Sequence, residues 1–458
     1  MSGFKKKYDL GTHNIFSLIL YMALPTAIGS LAHSLYSIVD RIYVGNFGGW
    51  ESLGAIAVIT PLNNIFIGVN VLFTVGGASS LSLNLGKGDT KEADRVYTNM
   101  VSFALIIAGI LAATYTIFAE WLVVLCGAQK GSEIFRLAVV YLRIIAVGNI
   151  FCLLNEVFTS SIRVQGQSKT AMLLDLLGGG INVILDTLFV AVLHKGLIGA
   201  GTATLISQVV AMITSGLIIK FRYNGLKWDS AKCISIKKMT GIASLGIGQA
   251  VFQLLNFINN IVVNNLLRIY GDRAMADGGN IMISTFSVLN TTESFMVNVA
   301  FGISTGTCVV IGYNYGCQKY DRVRNSAIYG MIINFIISLA IWLLIMIFAK
   351  EIFEIFTGND VVLEKYGVRN LRIVESLSFT MGIQALCALY YSAIGKSAMS
   401  ALVTVIRNGI FYMVSLIVMP KLMDLNGVLL AKPVAYIFSN IVILIIFIIE
   451  MRRIKRRN

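Results

Sequence analysis

An all-α polytopic membrane fold, with twelve transmembrane helices in two six-helix lobes related by a parallel repeat, is predicted by three features of this 458-residue sequence. Hydrophobic residues make up 56% of the chain and charged residues 13%, with a mean hydropathy of +0.78, whereas soluble domains carry roughly 25% charged residues. Twelve apolar stretches reach the ~20 residues that a helix needs to cross the hydrocarbon core. Short motifs of the first half return in the second at a nearly constant offset.

The stretches run approximately Phe16–Val44, Ala55–Leu85, Val96–Cys126, Phe135–Ser161, Thr170–Leu193 and Leu197–Lys220 in the first half. In the second they run Met239–Leu267, Asn280–Tyr313, Arg324–Phe348, Leu371–Ile394, Ala398–Met419 and Gly427–Ile449. Several exceed 25 residues, so tilt or extension beyond the bilayer is expected. The first contains Pro25, which removes a helix hydrogen bond and permits a bend. Gly86-Lys87-Gly88 after the second reads as a turn. Gly178-Gly179-Gly180 in the fifth reads as close helix packing, because no Lys-Ser/Thr follows to make a phosphate loop. Between the sixth and seventh, Phe221–Lys238 is basic, holds Asn224-Gly225 and lacks a long apolar run. The expected organisation is therefore a first lobe over 1–222, a cytoplasmic linker over 223–238, and a second lobe with a basic tail over 239–458.

The repeat is carried by Leu142-Arg143-Ile144, which returns as Leu371-Arg372-Ile373, and by Gly166 and Ser168, which return as Gly395 and Ser397, all at an offset of 229. Asn84 and Gly86 answer to Asn314 and Gly316, and Asp94-Arg95-Val96 to Asp321-Arg322-Val323. Six spans per copy is an even number, so both copies enter from the same side, and a cleft between the lobes is the natural place for substrate and alternating access.

The net charge of +14 is topological. Lys5, Lys6, Lys7, the 87–95 loop, the 220–238 connector, the 319–324 loop and the tail Arg452–Arg457 fall on one side, with about 23 Lys/Arg there against about 10 on the other. This places both termini in the cytoplasm and argues against nucleic acid as a partner. The first stretch is too long for a signal-peptide core and is expected to remain in a multi-pass protein of the cell membrane. The cysteines at 126, 152, 233, 308, 317 and 387 form no CxxC pair, so neither a zinc site nor a disulfide framework is indicated. No nucleophile and base or metal cluster suggests an enzyme.

Two carboxylates, Asp40 and Asp186, stand within apolar stretches, where a charge costs ~2.5–3.5 kcal/mol on insertion scales. From the helix rise, Asp40 lies ~7 Å and Asp186 ~10 Å below the outer ends of their spans, while Thr202 and Tyr141 lie ~9 Å deep. Asn182 is one turn beneath Asp186 on the same face. Neighbouring carboxylates withdrawn from water hold a proton or a small cation such as Na⁺ more readily than in solution. The residues leave H⁺ and Na⁺ both open, the latter at Asp40, Asn182 and Asp186. A bend at Pro25 that responds to Asp40 would couple ion binding to lobe motion. His33 shares the stripe of Asp40 and reads as a packing residue or a relay.

Tyr36, Phe158, Phe252, Asn256 and Phe286 are candidate cleft-lining residues, since aromatic walls suit flat organic cations. Glu293, near mid-bilayer in the eighth stretch, would serve as a counter-charge to a cationic substrate or pair with Arg407. Glu156 and its neighbour Asn155 are candidates for the same cleft. Asp175 reads as a solvated or capping group, and Arg372 with Glu375 as an intrahelical pair.

Together these residues resemble the multidrug and toxic compound extrusion (MATE) family from end to end. Ser37 through Gly45, with Val39-Asp40 and Val44-Gly45, looks like the family's VDxxxVG pattern, and Asn182 through Asp186 looks like its N-I-I-L-D. Gly86 to Asp89 with Ala93, and Arg163 with Gln165-Gly166, are similar too. In its DinF-like branch, the resemblance implies a first-lobe proton or cation site at Asp40, Asn182, Asp186, Thr202 and Tyr141, with Pro25 at the bend. Other branches place an acidic pair on spans seven and ten, where this chain carries Gln253 and falls near Ile383. The resemblance implies a monomeric antiporter without cofactor, exporting cationic amphipathic drugs or toxic organic compounds in exchange for H⁺ or Na⁺. The alternative is a lipid-linked oligosaccharide flippase of the same superfamily, which calls for more cleft arginines and typically fourteen spans.

Overall fold

The computed structural model describes residues 10–222, 226–227, 234–275, 278–357 and 361–456, and these residues form an all-helical bundle. Helices are the expected solution for a chain this apolar, because each satisfies its own backbone hydrogen bonds away from water. Spans one to six are Ile15–Gly45, Glu51–Gly86, Thr90–Ile117, Glu133–Val164, Ser168–Val192 and Gly196–Arg222. Spans seven to nine are Ile236–Ala274, Ile281–Gly316 and Tyr320–Ile347. Span ten is bent by 46° between Glu364–Val374 and Ser378–Ala393. The last apolar helix, Ser397–Lys455, has 59 residues, well over twice what one crossing of a bilayer needs. Non-helical backbone at Met423 and Asp424 divides it into span eleven (397–422) and span twelve (425–455). Apolar side chains such as Ile110, Ile117, Leu344, Ile417 and Leu422 remain on the outer surface, where lipid replaces water. The expected linker lies partly outside the described residues, at 223–225 and 228–233, as do Lys5, Lys6 and Lys7.

The duplication is written into the backbone. After span two, Lys87 and Gly88 N–H donate to Leu83 and Leu85 carbonyls, and after span eight Cys317 and Gln318 donate to Tyr313 and Tyr315 in the same pattern. Gly88 (φ +76°) and Gln318 (φ +58°) both take the left-handed conformation, as do Gly166 (φ +84°) and Gly395 (φ +83°). Spans three and nine end alike, at Phe118 and Phe348, each followed by a short helix, Ala119–Leu125 and Ala349–Thr357. The third stretch was expected to run unbroken to Cys126. The break has a sequence counterpart, since Ile117-Phe118-Ala119 recurs as Ile347-Phe348-Ala349.

The lobes close against each other at the end that carries the Lys87 and Lys319 turns. Gly76 of span two sits on the Ile242 carbonyl of span seven, and Gly246 on that of Leu72. Gly86 and Gly316 pack backbone to backbone. No side chain larger than hydrogen fits at these points. Ile19, Ala23 and Ala27 of span one pack with Val299, Ile303 and Ile333 in one core cluster. Polar contacts continue the seam, with Asn298 Nδ2 donating to Ser34 Oγ at 2.7 Å and Ser79 and Ser392 hydroxyls 3.0 Å apart. Ahead of span one, the Leu10, Gly11 and His13 carbonyls accept from Asn314, Lys319 and Arg322 of the second lobe. At the opposite end, outer-half residues of spans two, seven and eight stand around a cavity of about 600 Å³.

Candidate functional site: an acidic pocket in one lobe and a mixed-charge cavity in the other

Span five is α-helical to Asp186 and continues as a π-helical turn, Thr187–Val192. Such a turn re-aims side chains and often marks a functional position. Here the Asp186 carboxyl interacts with that of Asp40 on span one, and both act electrostatically on the buried Tyr141 of span four. Tyr43 and Thr187 hydroxyls, 2.9 Å apart, tie span one to span five next to the pair. Gly201 of span six gives Tyr141 room to lean in. Asp186 is fully buried, and Asp40 Oδ1, Asn182 Oδ1 and both Asp186 carboxyl oxygens lack a hydrogen-bond partner. Buried acceptor oxygens left without a partner fit a proton or a small cation that accepts oxygen ligands.

Asn182 donates through Nδ2 to Thr204 Oγ1 at 3.3 Å. The Thr202 hydroxyl instead bonds the Ile198 and Gly199 carbonyls of its own helix, at 3.0 and 2.8 Å. Thr204, two residues further round span six, is the threonine that meets span five. Asn182 and Thr204 open onto a first-lobe cavity of about 270 Å³ shared with His33, Tyr36, Asn155 and Glu156. Gly179 allows the Tyr36 ring to pack on span five, in line with the packing reading of the triple glycine. Asp175 lines this cavity as well and pairs with Arg163 at 3.5 Å, which corrects the expectation of a solvated or capping group. Phe158 lines neither this cavity nor the one of about 600 Å³, and packs in the first-lobe core against Gly216 of span six, which corrects its expected place in the cleft. Pro25 stands inside span one, two turns below His33.

The larger cavity is lined by Phe252, Gln253, Asn256, Phe286 and Glu293, together with Lys432 and Arg407. Asn298 borders both this cavity and the first-lobe one. Lys432 of span twelve bridges Glu293 at 2.8 Å and Glu375 at 2.7 Å. Glu375, 1% exposed, sits at the break of span ten. Its carboxylate also accepts from Ser378, and its carbonyl from Trp342 Nε1 at 2.7 Å. The break frees backbone and side chain to serve this network, which explains a bend without proline. One expected pair, and one of the two alternatives for Glu293, are thereby corrected. Glu375 turns to Lys432 rather than Arg372, and Glu293 does so rather than pairing with Arg407, because span twelve brings an ammonium between the two glutamates. Lys432 was visible in the sequence only as one more membrane cation, since its partners come from other helices.

The family description MatE matches residues 25–188 and 244–417. The chain is 24% identical over 433 residues to the multidrug export protein MepA of Staphylococcus saprophyticus, covering 92% of this chain and 91% of that protein. It is 22% identical over 425 residues to MepA of Staphylococcus aureus, covering 91% and 89%. Among solved structures, a MATE in complex with MaL6 superposes with a TM-score of 0.90 at 22% identity, covering 98% of each chain. The outward-facing conformation of a multidrug resistance MATE family transporter of the MOP superfamily gives 0.89 at 22% identity, again over 98% of each. With the family match spanning both lobes and the fold agreeing from end to end, the chain belongs to the MatE family of membrane transporters.

Proposed function

We propose that this protein is a secondary antiporter that exports amphipathic organic compounds, organic cations among them, in exchange for H⁺ or Na⁺. The reading places it in the cell membrane as a monomer with both termini cytoplasmic, and it takes the first-lobe residues as the ion site, as the resemblance to the DinF-like branch implies. The observation that carries it is the set of buried, unpartnered acceptor oxygens on Asp40, Asn182 and Asp186, on span one with its proline and on span five. An ion held there neutralises the cluster, and span one carries the change of charge to the lobe seam through Ser34 and Ala27. With the seam shut at the basic end, the 600 Å³ cavity stands open at the other, as an export step requires for release. Each inward elementary charge supplies ~2.3 kcal/mol per 100 mV, enough to sustain a sizeable substrate gradient. The flippase alternative is less well supported, because Arg407 and Lys432 are the only arginine and lysine among the described residues lining the 600 Å³ cavity, and Lys432 is held by two glutamates.

The test is dye accumulation in everted vesicles, with pH and Na⁺ gradients imposed separately. Accumulation driven by one gradient and collapsed by its removal is expected. Movement indifferent to both gradients, or unchanged in Asp40→Asn, would overturn the antiport reading.

A further inference from the structure

We infer that the second-lobe cavity receives an oxyanion carried by the exported compound, held by Arg407, so that the preferred substrates are amphipathic zwitterions rather than simple cations. The inference rests on the export reading for its substrate but on separate atoms for its site. Span eleven passes through a π-helical segment, Val405–Phe411, which sets Arg407 and Asn408 against the cavity. The Arg407 guanidinium lies 5.4 Å from the Phe252 ring centre and 5.6 Å from that of Tyr436. Arg407 is 8% exposed, and its Nε is buried with no hydrogen-bond partner. Asn408 Nδ2, beside it, is buried and unpartnered as well.

Among the described residues no carboxylate reaches ion-pair distance of Arg407. Glu293, which lines the same cavity, is committed to Lys432, as is Glu375. A buried cation normally carries a counter-charge. Aromatic faces stabilise it in part but do not occupy its N–H donors. An acceptor pair bearing negative charge completes the set, and the guanidinium fork matches a carboxylate two atoms to two. Phe252 and Phe286 supply an apolar wall for the rest of the molecule. Glu156, in the adjoining cavity across Asn298, supplies the opposite charge for its cationic end.

The probe pair is rhodamine B, a zwitterion with a free carboxylate, and its ethyl ester, a cation with the same ring system. Binding to the purified protein in lipid nanodiscs is read by fluorescence anisotropy without any gradient. The acid is expected to bind about tenfold or more tightly than the ester. Arg407→Gln brings the two dyes to the same affinity, and Arg407→Lys, which keeps the charge but not the fork, restores part of the difference. Equal affinities in the unaltered protein overturn the inference without any need for a folded variant. A preference that survives in Arg407→Gln, with its melting profile intact, overturns it too. Because binding needs no gradient, an acid preference without H⁺- or Na⁺-driven transport leaves this site standing and removes the antiport reading; driven transport of both dyes at equal affinity does the reverse.

Discussion

Around Asp40 and Asp186 in the first lobe, the buried atoms that lack a hydrogen-bond partner are acceptors, whereas around Arg407 in the second they include the donors Arg407 Nε and Asn408 Nδ2. The lobes are nevertheless copies of one unit. At the repeat offset, Asp186 is answered by Ser415, Arg407 by Gly178 and Lys432 by Ala203. What the copies share is backbone geometry: paired left-handed turns, paired breaks at Phe118 and Phe348, and the Gly86–Gly316 contact. What they do not share is buried charge. A turn that needs positive φ admits few residues, so it persists in both halves, while each interior is free to diverge in its charge.

The largest expected effect separates the lobes most sharply. Asp186→Asn or Asp40→Asn keeps the shape and removes the charge, and gradient-driven dye accumulation should fall about a hundredfold, as ~2.8 kcal/mol of lost ion binding would give. Ser415→Ala, at the matching position of the second lobe, should leave the same rate within about twofold. Equal losses in both would mean that coupling is spread over the two lobes.

Next is the Lys432 bridge. Lys432→Met leaves Glu375 buried without a counter-charge and should cost about 3–5 kcal/mol, read as a lower unfolding midpoint in nanodiscs. Adding Glu375→Gln should recover part of that loss, because the stranded charge is removed with its partner. If the double variant is no more stable than the single one, the bridge is not what holds the break of span ten.

The contrast between the lobes also divides what was legible in the chain from what was not. Span number, the repeat and the acidic pair follow from local composition, since length and apolarity fix a membrane helix and a carboxylate in such a stretch stands out. Glycines at 166 and 395 announce their turns. By comparison, the breaks at Phe118 and within span ten carry no proline or glycine at the break itself, and pairings such as Lys432 with Glu293 and Glu375 join helices far apart in sequence. Spacing pointed Glu375 to Arg372 three residues away, whereas the buried lysine is 57 residues on. Depth could be read along a helix, but the face a side chain presents could not, as Phe158 and Asp175 illustrate.

The seam ties the two specialised interiors together, so loosening it tests whether they respond as one. Gly76→Ala places a methyl group against the Ile242 carbonyl and should destabilise closure of the basic end by about 1–3 kcal/mol. Spin labels on the turns after spans two and eight should then report longer distances than in the unaltered protein. An unchanged distance distribution would show that the contact is spectator packing rather than the inner gate.

The smallest effect bears on the geometry of the acidic pocket itself. Thr204→Val removes the partner of Asn182 Nδ2, a single long hydrogen bond worth about 0.5–1.5 kcal/mol, so the coupling-ion concentration for half-maximal transport should rise about threefold. Thr202→Val removes a hydroxyl that bonds only its own helix among the described residues, and it should shift that concentration less. The order of the two matters more than their size. A larger shift from Thr202 would mean that its hydroxyl leaves the helix carbonyls when the ion arrives, and the ion site would then be five-membered, as the family pattern implies.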